Sequence, residues 1–137
     1  MSKVLSVLSW IGIIVLGLAS GILEDLMFLN FLVEYMPPSV DLTGDLYWVF
    51  TVPLAQLMAL AVTGTIAWFL FGLRQLPRLI TFWACWTVAR AAFLTRLNNP
   101  PEDVLVPLLW IALWCSLIGL LAHYLRNRSG QPVAGGD

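Results

Sequence analysis

The chain has 137 residues, of which 60% are hydrophobic and 11% charged, with a mean hydropathy of +0.87; an ordinary soluble domain is roughly 45–50% apolar and about 25% charged. A single water-facing domain of this size cannot bury so much apolar surface, because small domains bury the smaller share of what they have. That excludes a soluble globular domain and makes lipid part of the expected solvent. The net charge is −1 with no basic stripe along any segment, which argues against nucleic acid as a partner. Cys85 and Cys115 both fall in apolar runs without CxxC or zinc-type spacing, so neither a disulfide framework nor a metal site is expected.

A spanning helix needs about 20 mainly apolar residues, and four runs meet that need. The first covers residues 4–23, with no charge before Glu24. Lys3 ahead of it and Ala19-Ser20-Gly21 at its end give it some look of a cleaved signal peptide. A signal h-region is usually about 7–15 residues, and this longer run is read as a membrane helix. The second run, 46–73, lies between Asp45 and Arg74; the third, 79–97, is shorter and carries Arg90; the fourth, 104–125, follows Glu102 and Asp103 and closes on Arg126 and Arg128. The fold expected is all-α: a membrane-embedded antiparallel four-helix bundle.

Between the first two spans, residues 26–35 place apolar side chains at helical spacing, which predicts an interfacial helix or a continuation of the first span that would draw Glu24 and Asp25 deeper. Pro37-Pro38 ends it. Gln75-Leu76-Pro77 is short enough to predict a tight antiparallel hairpin, and Asn98-Asn99-Pro100-Pro101 breaks the chain before the fourth span. Residues 129–137 read as a flexible tail. Lys3, Arg74, Arg78, Arg126 and Arg128 fall on one side of the four crossings, whereas Glu24, Asp25, Glu34, Asp41, Asp45, Glu102 and Asp103 fall on the other with Arg96. Since Lys and Arg mark cytoplasmic loops, both termini are expected in the cytoplasm. Val52-Pro53-Leu54 and Val106-Pro107-Leu108 echo each other, which raises the idea of two related helical hairpins, each proline near the outer end of its helix, where its missing hydrogen bond costs least.

Arg90 is the most informative residue, because an arginine inside a span costs at least about 2.5 kcal/mol unless it snorkels or finds a partner. Glu24 and Asp25 are its nearest partners in depth, as a polar pair or as part of a pathway. Trp83, Trp86 and Arg90 follow at i, i+3 and i+7, which makes a cation–π contact of Trp86 with Arg90 available; the favoured reading places Trp83 in the cytoplasmic aromatic belt with Trp68 and Tyr124, opposite Tyr47 and Trp48 on the outer side, and packs Trp86 against a neighbour. Trp110 and Trp114, one turn apart, form a bulky ridge. Gly17 and Gly21 make a GxxxG that admits close helix approach, within the chain or with a partner, and Gln56, Thr63 and Thr65 are candidates for interhelical hydrogen bonds of about 0.6 kcal/mol each. His123, the sole histidine, sits beside Arg126 at the end of the fourth span. No nucleophile–base set, paired intramembrane carboxylates or glycine-rich phosphate loop is present in the sequence, so neither enzyme activity nor a cofactor is expected.

Trp68-Phe69-Leu70-Phe71 with Arg74 and Leu76-Pro77, Trp10 with Gly17-Leu18, and His123-Tyr124-Leu125-Arg126 with Ser129 resemble a small bacterial inner-membrane family of four-helix proteins classed as a domain of unknown function. The resemblance implies a bacterial inner membrane and four helices, and no activity. Two roles fit the sequence. One is an accessory or structural subunit that docks on another membrane protein or on itself; the other is a small oligomeric transporter using Arg90 with an outer carboxylate. Small multidrug transporters place a carboxylate well inside the first helix, and residues 4–23 contain none, which favours the subunit.

Overall fold

The computed structural model describes residues 3–27, 45–97 and 101–129. Four helices account for nearly all of them: α1 (Lys3–Met27), α2 (Asp45–Phe71), α3 (Leu76–Arg96) and α4 (Pro101–Ser129). The fold is an all-α helical bundle. Most of the expected 26–35 helix, Tyr47 and Trp48 as side chains, the 98–100 breaker and the tail beyond Ser129 lie outside the described residues. α1 does continue past the expected end of its apolar run, so Glu24 and Asp25 sit on a helix and not in a loop.

α1 packs against both α2 and α3, and α4 packs against α3 and more lightly against α2. Contacts fix the directions. Ser9 meets Phe71 while Glu24 meets Gln56, so α1 and α2 are antiparallel. Trp10 meets Arg78 while Glu24 meets Trp86, so α1 and α3 are parallel. The consecutive helices α2 and α3 therefore stand on a diagonal of the bundle and do not pack on each other. This corrects the hairpin expected there: the connection of residues 72–75 crosses the end of the bundle as a turn, in which the Gln75 N–H donates to the Gly72 carbonyl at 3.1 Å. Gly72 makes the crossing with a φ of 67°, which costs little without a Cβ, and the Leu73 N–H reaches back to the Ala67 carbonyl at 3.0 Å. α3 then starts at Leu76 with Pro77 in its first turn, where a missing N–H is harmless.

The two internal prolines differ from expectation as well. Pro53 is the ninth residue of α2 and Pro107 the seventh of α4, so each removes a bond from inside its helix and deprives the carbonyls of Val49 and Asp103 of their usual donors. The tripeptides that contain them also turn different residues inward: Val52 is buried in α2 while Val106 is exposed in α4, where Pro107 takes the buried place.

The distribution of side chains is the reverse of a water-soluble bundle. The buried line of α1 is Ser9, Ile13, Gly17, Ser20, Gly21 and Glu24, whereas Val4, Val7, Ile11, Val15, Leu18 and Ile22 face outward. Phe82, Trp86, Ile13, Leu73 and Ile111 form the apolar centre. Three helices, Lys3–Met27, Thr51–Phe71 and Asp103–Ser129, are long and apolar enough to cross a membrane. α3, with Arg78, Arg90 and Arg96 in 21 residues, is not apolar enough to count with them.

Candidate functional site

The approach of α1 to α3 is set by small residues. A Cβ on Gly17 would lie 2.8 Å from both Cys85 Cβ and the Phe82 carbonyl oxygen, and one on Gly21 would lie 2.9 Å from Ala89 Cβ. The GxxxG is thus occupied inside the chain, and its close backbone approach brings the next turn of α1 against the second half of α3.

At that turn four helices converge on one carboxylate. Glu24 is 1% exposed. Its Oε2 accepts the indole N–H of Trp86 at 3.1 Å. Its Oε1 accepts the Gln56 amide at 3.1 Å and lies 3.2 Å from Arg90 Nε, an ion pair whose N–H is not aligned on the oxygen. Arg90 also pairs through its NH1 with Asp25. The Gln56 amide nitrogen donates a second time, to the Pro107 carbonyl at 3.0 Å, which ties α4 to the same point. Gln56 Oε1 is buried without a hydrogen-bond partner.

Arg90 and its two carboxylates are thus brought together, and the cation–π contact that the spacing made available to Trp86 is not formed. Arg90 stacks on Phe93 at 5.7 Å and not on Trp86. Trp86, fully buried, packs edge-on against Phe82 at 5.9 Å and spends its N–H on Glu24, whereas Trp83 is 37% exposed. The two indoles are about 60° apart around the helix, so Trp86 points into the core while Trp83, beside it, lies at the edge of the buried face. Trp110 and Trp114 stack at 6.2 Å. Gln56 and Thr63 do bond across helices, Thr63 to Ser20 at 2.7 Å, but Thr65 turns its hydroxyl back to Ala61. His123 contacts Asn127 at 3.1 Å.

A second polar cluster, at the opposite end, was not legible in the sequence. Arg78, assigned to a loop there, is on α3 and only 9% exposed. Its NH1 donates to the Phe71 carbonyl at 2.7 Å, its guanidinium lies 5.8 Å from the Trp10 ring, and Ser9 donates to the same carbonyl at 3.1 Å. Phe71 ends α2, so its carbonyl has no helical donor. Arg78 and Ser9 satisfy it from two other helices.

Between α3 and α4 runs an open, almost wholly apolar groove of about 510 Å³, walled by Leu79, Ile80 and Trp83 on one side and by Ala112, Ser116 and Gly119 on the other. Among the described residues no cluster of His, Cys, Asp and Glu could hold a metal ion. No family model, curated protein or solved structure matches the chain.

Proposed function

We propose that the chain is a small multi-pass protein of a bacterial inner membrane, with both termini in the cytoplasm, that serves as an accessory or structural subunit of a larger membrane assembly. The outward apolar faces of the helices support the bilayer setting. α3 fits it too, because Arg78 and Arg90 are buried among the other helices and Arg96 stands at its end, so its charges need not face lipid.

The observation that carries the structural role is the state of Glu24. Both its oxygens are taken by neighbours from α2 and α3, and the Gln56 that holds it also holds α4. A carboxylate so enclosed acts as a clamp on the bundle, because each partner removed would leave a buried group unpaired. Docking falls to the outside, where α4 exposes Leu105, Leu109, Leu113, Leu117 and Leu121. Purification in mild detergent tests the role: a larger membrane protein recovered in fixed stoichiometry is the expected result, and recovery of the chain alone as a stable homo-oligomer overturns it.

One feature favours the alternative, a small oligomeric transporter. Gln56 Oε1, buried without a donor beside the charged pair, is what a residue that exchanges partners along a pathway would present. Solute flux in proteoliposomes that is abolished by Arg90→Ala in a folded protein is the result that would establish it in place of the subunit.

A further inference from the structure

The groove between α3 and α4 has a definite chemistry along its length. Leu79 and Trp83 border it from α3, and Ala112, Ser116 and Gly119 from α4. Its one hydroxyl, on Ser116, donates to the Ala112 carbonyl of its own helix at 2.7 Å, so that proton is spent. The small Ala112, Ser116 and Gly119 stand beside the larger Cys115 and Leu120 on the α4 wall, and the lining as a whole is apolar enough to suit a flexible hydrocarbon chain.

The character changes at the mouth. On a helix, Ala112, Ser116, Gly119, His123 and Arg126 follow one another at spacings of four, three, four and three and so share one face. The small wall of the groove therefore runs directly into His123 and Arg126. Leu79 already faces Gly119 and α3 begins at Leu76. The last two turns of α4, about 11 Å long, thus continue past the start of α3. Arg74, exposed, stands in the turn just before Leu76, and His123, Arg126 and Arg128 are exposed too. Among the described residues none of these arginines has a carboxylate within ion-pair reach. The helical acids Glu24, Asp25, Asp45, Glu102 and Asp103 all belong to the other end of the bundle.

We propose that this groove is a binding site for one anionic phospholipid, with an acyl chain between α3 and α4 and the headgroup phosphate at Arg74, His123 and Arg126. The inference rests on the bilayer setting proposed above and not on the subunit role. An apolar channel that opens on Arg74 and Arg126, exposed and, among the described residues, outside ion-pair reach of any carboxylate, complements a phosphate-bearing lipid. A second protein helix would bring its own apolar ridge into the channel and leave these cations unanswered.

Native mass spectrometry of the whole chain, released from detergent with phosphatidylglycerol or phosphatidylcholine of identical acyl chains, tests the site. One phosphatidylglycerol should be retained in preference to phosphatidylcholine. Each of Arg74→Gln and Arg126→Gln should weaken that retention about fivefold. Ser116→Leu, which fills the channel from an exposed position, should abolish it while the helical circular dichroism of the protein is unchanged. Equal retention of both lipids, or retention indifferent to all three substitutions, overturns the proposal. So does a cysteine at Ala112 that cross-links to a polypeptide in place of lipid. Extraction of the membranes at alkaline pH separates the two failures: a chain that washes off sinks the bilayer setting itself, whereas one that stays but retains no phosphatidylglycerol sinks only the lipid site.

Discussion

The two ends of the bundle each bury an arginine of α3, and they accommodate it in different ways. Arg90 meets two carboxylates, from Glu24 and Asp25 on α1. Arg78 meets a helix-terminal carbonyl and the face of an indole, from Phe71 and Trp10. The first arrangement supplies formal counter-charge; the second supplies only partial charge, the negative end of the α2 dipole and the quadrupole of a ring. Position explains the difference. Arg90 lies several turns along α3, beside a Gln56 that is itself well inside α2, where a cation without counter-charge would be costly. Arg78 lies in the first turn of α3, at the end of the bundle, where partial charge suffices.

This contrast is most readily broken at Arg90. Arg90→Leu would leave Glu24 and Asp25 side by side in a buried site with no cation, and should destabilise the bundle by about 3–5 kcal/mol in unfolding by SDS in mixed micelles. The double substitution Arg90→Leu with Glu24→Leu should recover only part of that loss, because it removes one uncompensated charge while Asp25 keeps its own and the Trp86 N–H loses its acceptor. A single-mutant loss below about 1 kcal/mol would mean that the pair does not clamp the helices.

Arg78→Met should cost less, about 1.5–3 kcal/mol, the usual value of a hydrogen bond to a charged group. It removes the donor from Phe71 but leaves no charge behind, and Ser9 still answers the same carbonyl. Because no carboxylate is involved, a second-site change should not rescue it: Arg78→Met combined with Ser9→Ala should be worse than either alone. Rescue in that double mutant, measured in the same micelles, would erase the distinction between the two ends.

What the sequence revealed of these ends follows from the same contrast. Arg90 with Glu24 and Asp25 could be read because an arginine in an apolar run demands counter-charge, and only one pair of acids lies at its depth. Arg78 could not, because its partners are a backbone carbonyl and a ring, which many other positions of the sequence could have supplied. Trp86 was legible as an aromatic packed against a neighbour but not as a donor to Glu24, since its spacing along α3 does not tell which helix its N–H meets. The four helices and their order came from length and hydropathy, yet the diagonal placement of α2 and α3 depends on which faces pack. That placement is set by Gly17 and Gly21, whose missing side chains let α1 come between them and α3 lie close.

Those glycines sit between the two ends and decide whether the ends act on one another. Gly17→Ala would push a methyl to within 2.8 Å of Cys85 Cβ and the Phe82 carbonyl, backbone that cannot move aside without shifting α3. The loss should be about 1–2 kcal/mol, in the lower range for overpacked cores, and the shift should be felt at Arg90 and Arg78 alike. Combined with Arg90→Leu, its effect should therefore depart from additivity by more than the roughly 0.3–0.5 kcal/mol expected of independent sites. Strict additivity in thermal or SDS unfolding would show that the ends are held separately.

The smallest expected effect sharpens the comparison most. Ser20 and Thr63 meet at 2.7 Å near the middle of α1 and α2, buried, and each also lies within hydrogen-bond reach of the carbonyl one turn back on its own helix, Leu16 at 2.8 Å and Ala59 at 2.9 Å. A hydroxyl has one proton, so if both donate to their own helices neither is left to bond the other, and at most one can do so. Hydrogen bonds between membrane helices average about 0.6 kcal/mol by double-mutant cycle. A coupling near that value between Ser20→Ala and Thr63→Val is expected if one hydroxyl turns from its carbonyl toward the other helix. A coupling near zero would mean that the two side chains are satisfied locally and touch only because Gly17 and Gly21 bring α1 in. In that case the polar contacts that hold the bundle together are confined to its ends.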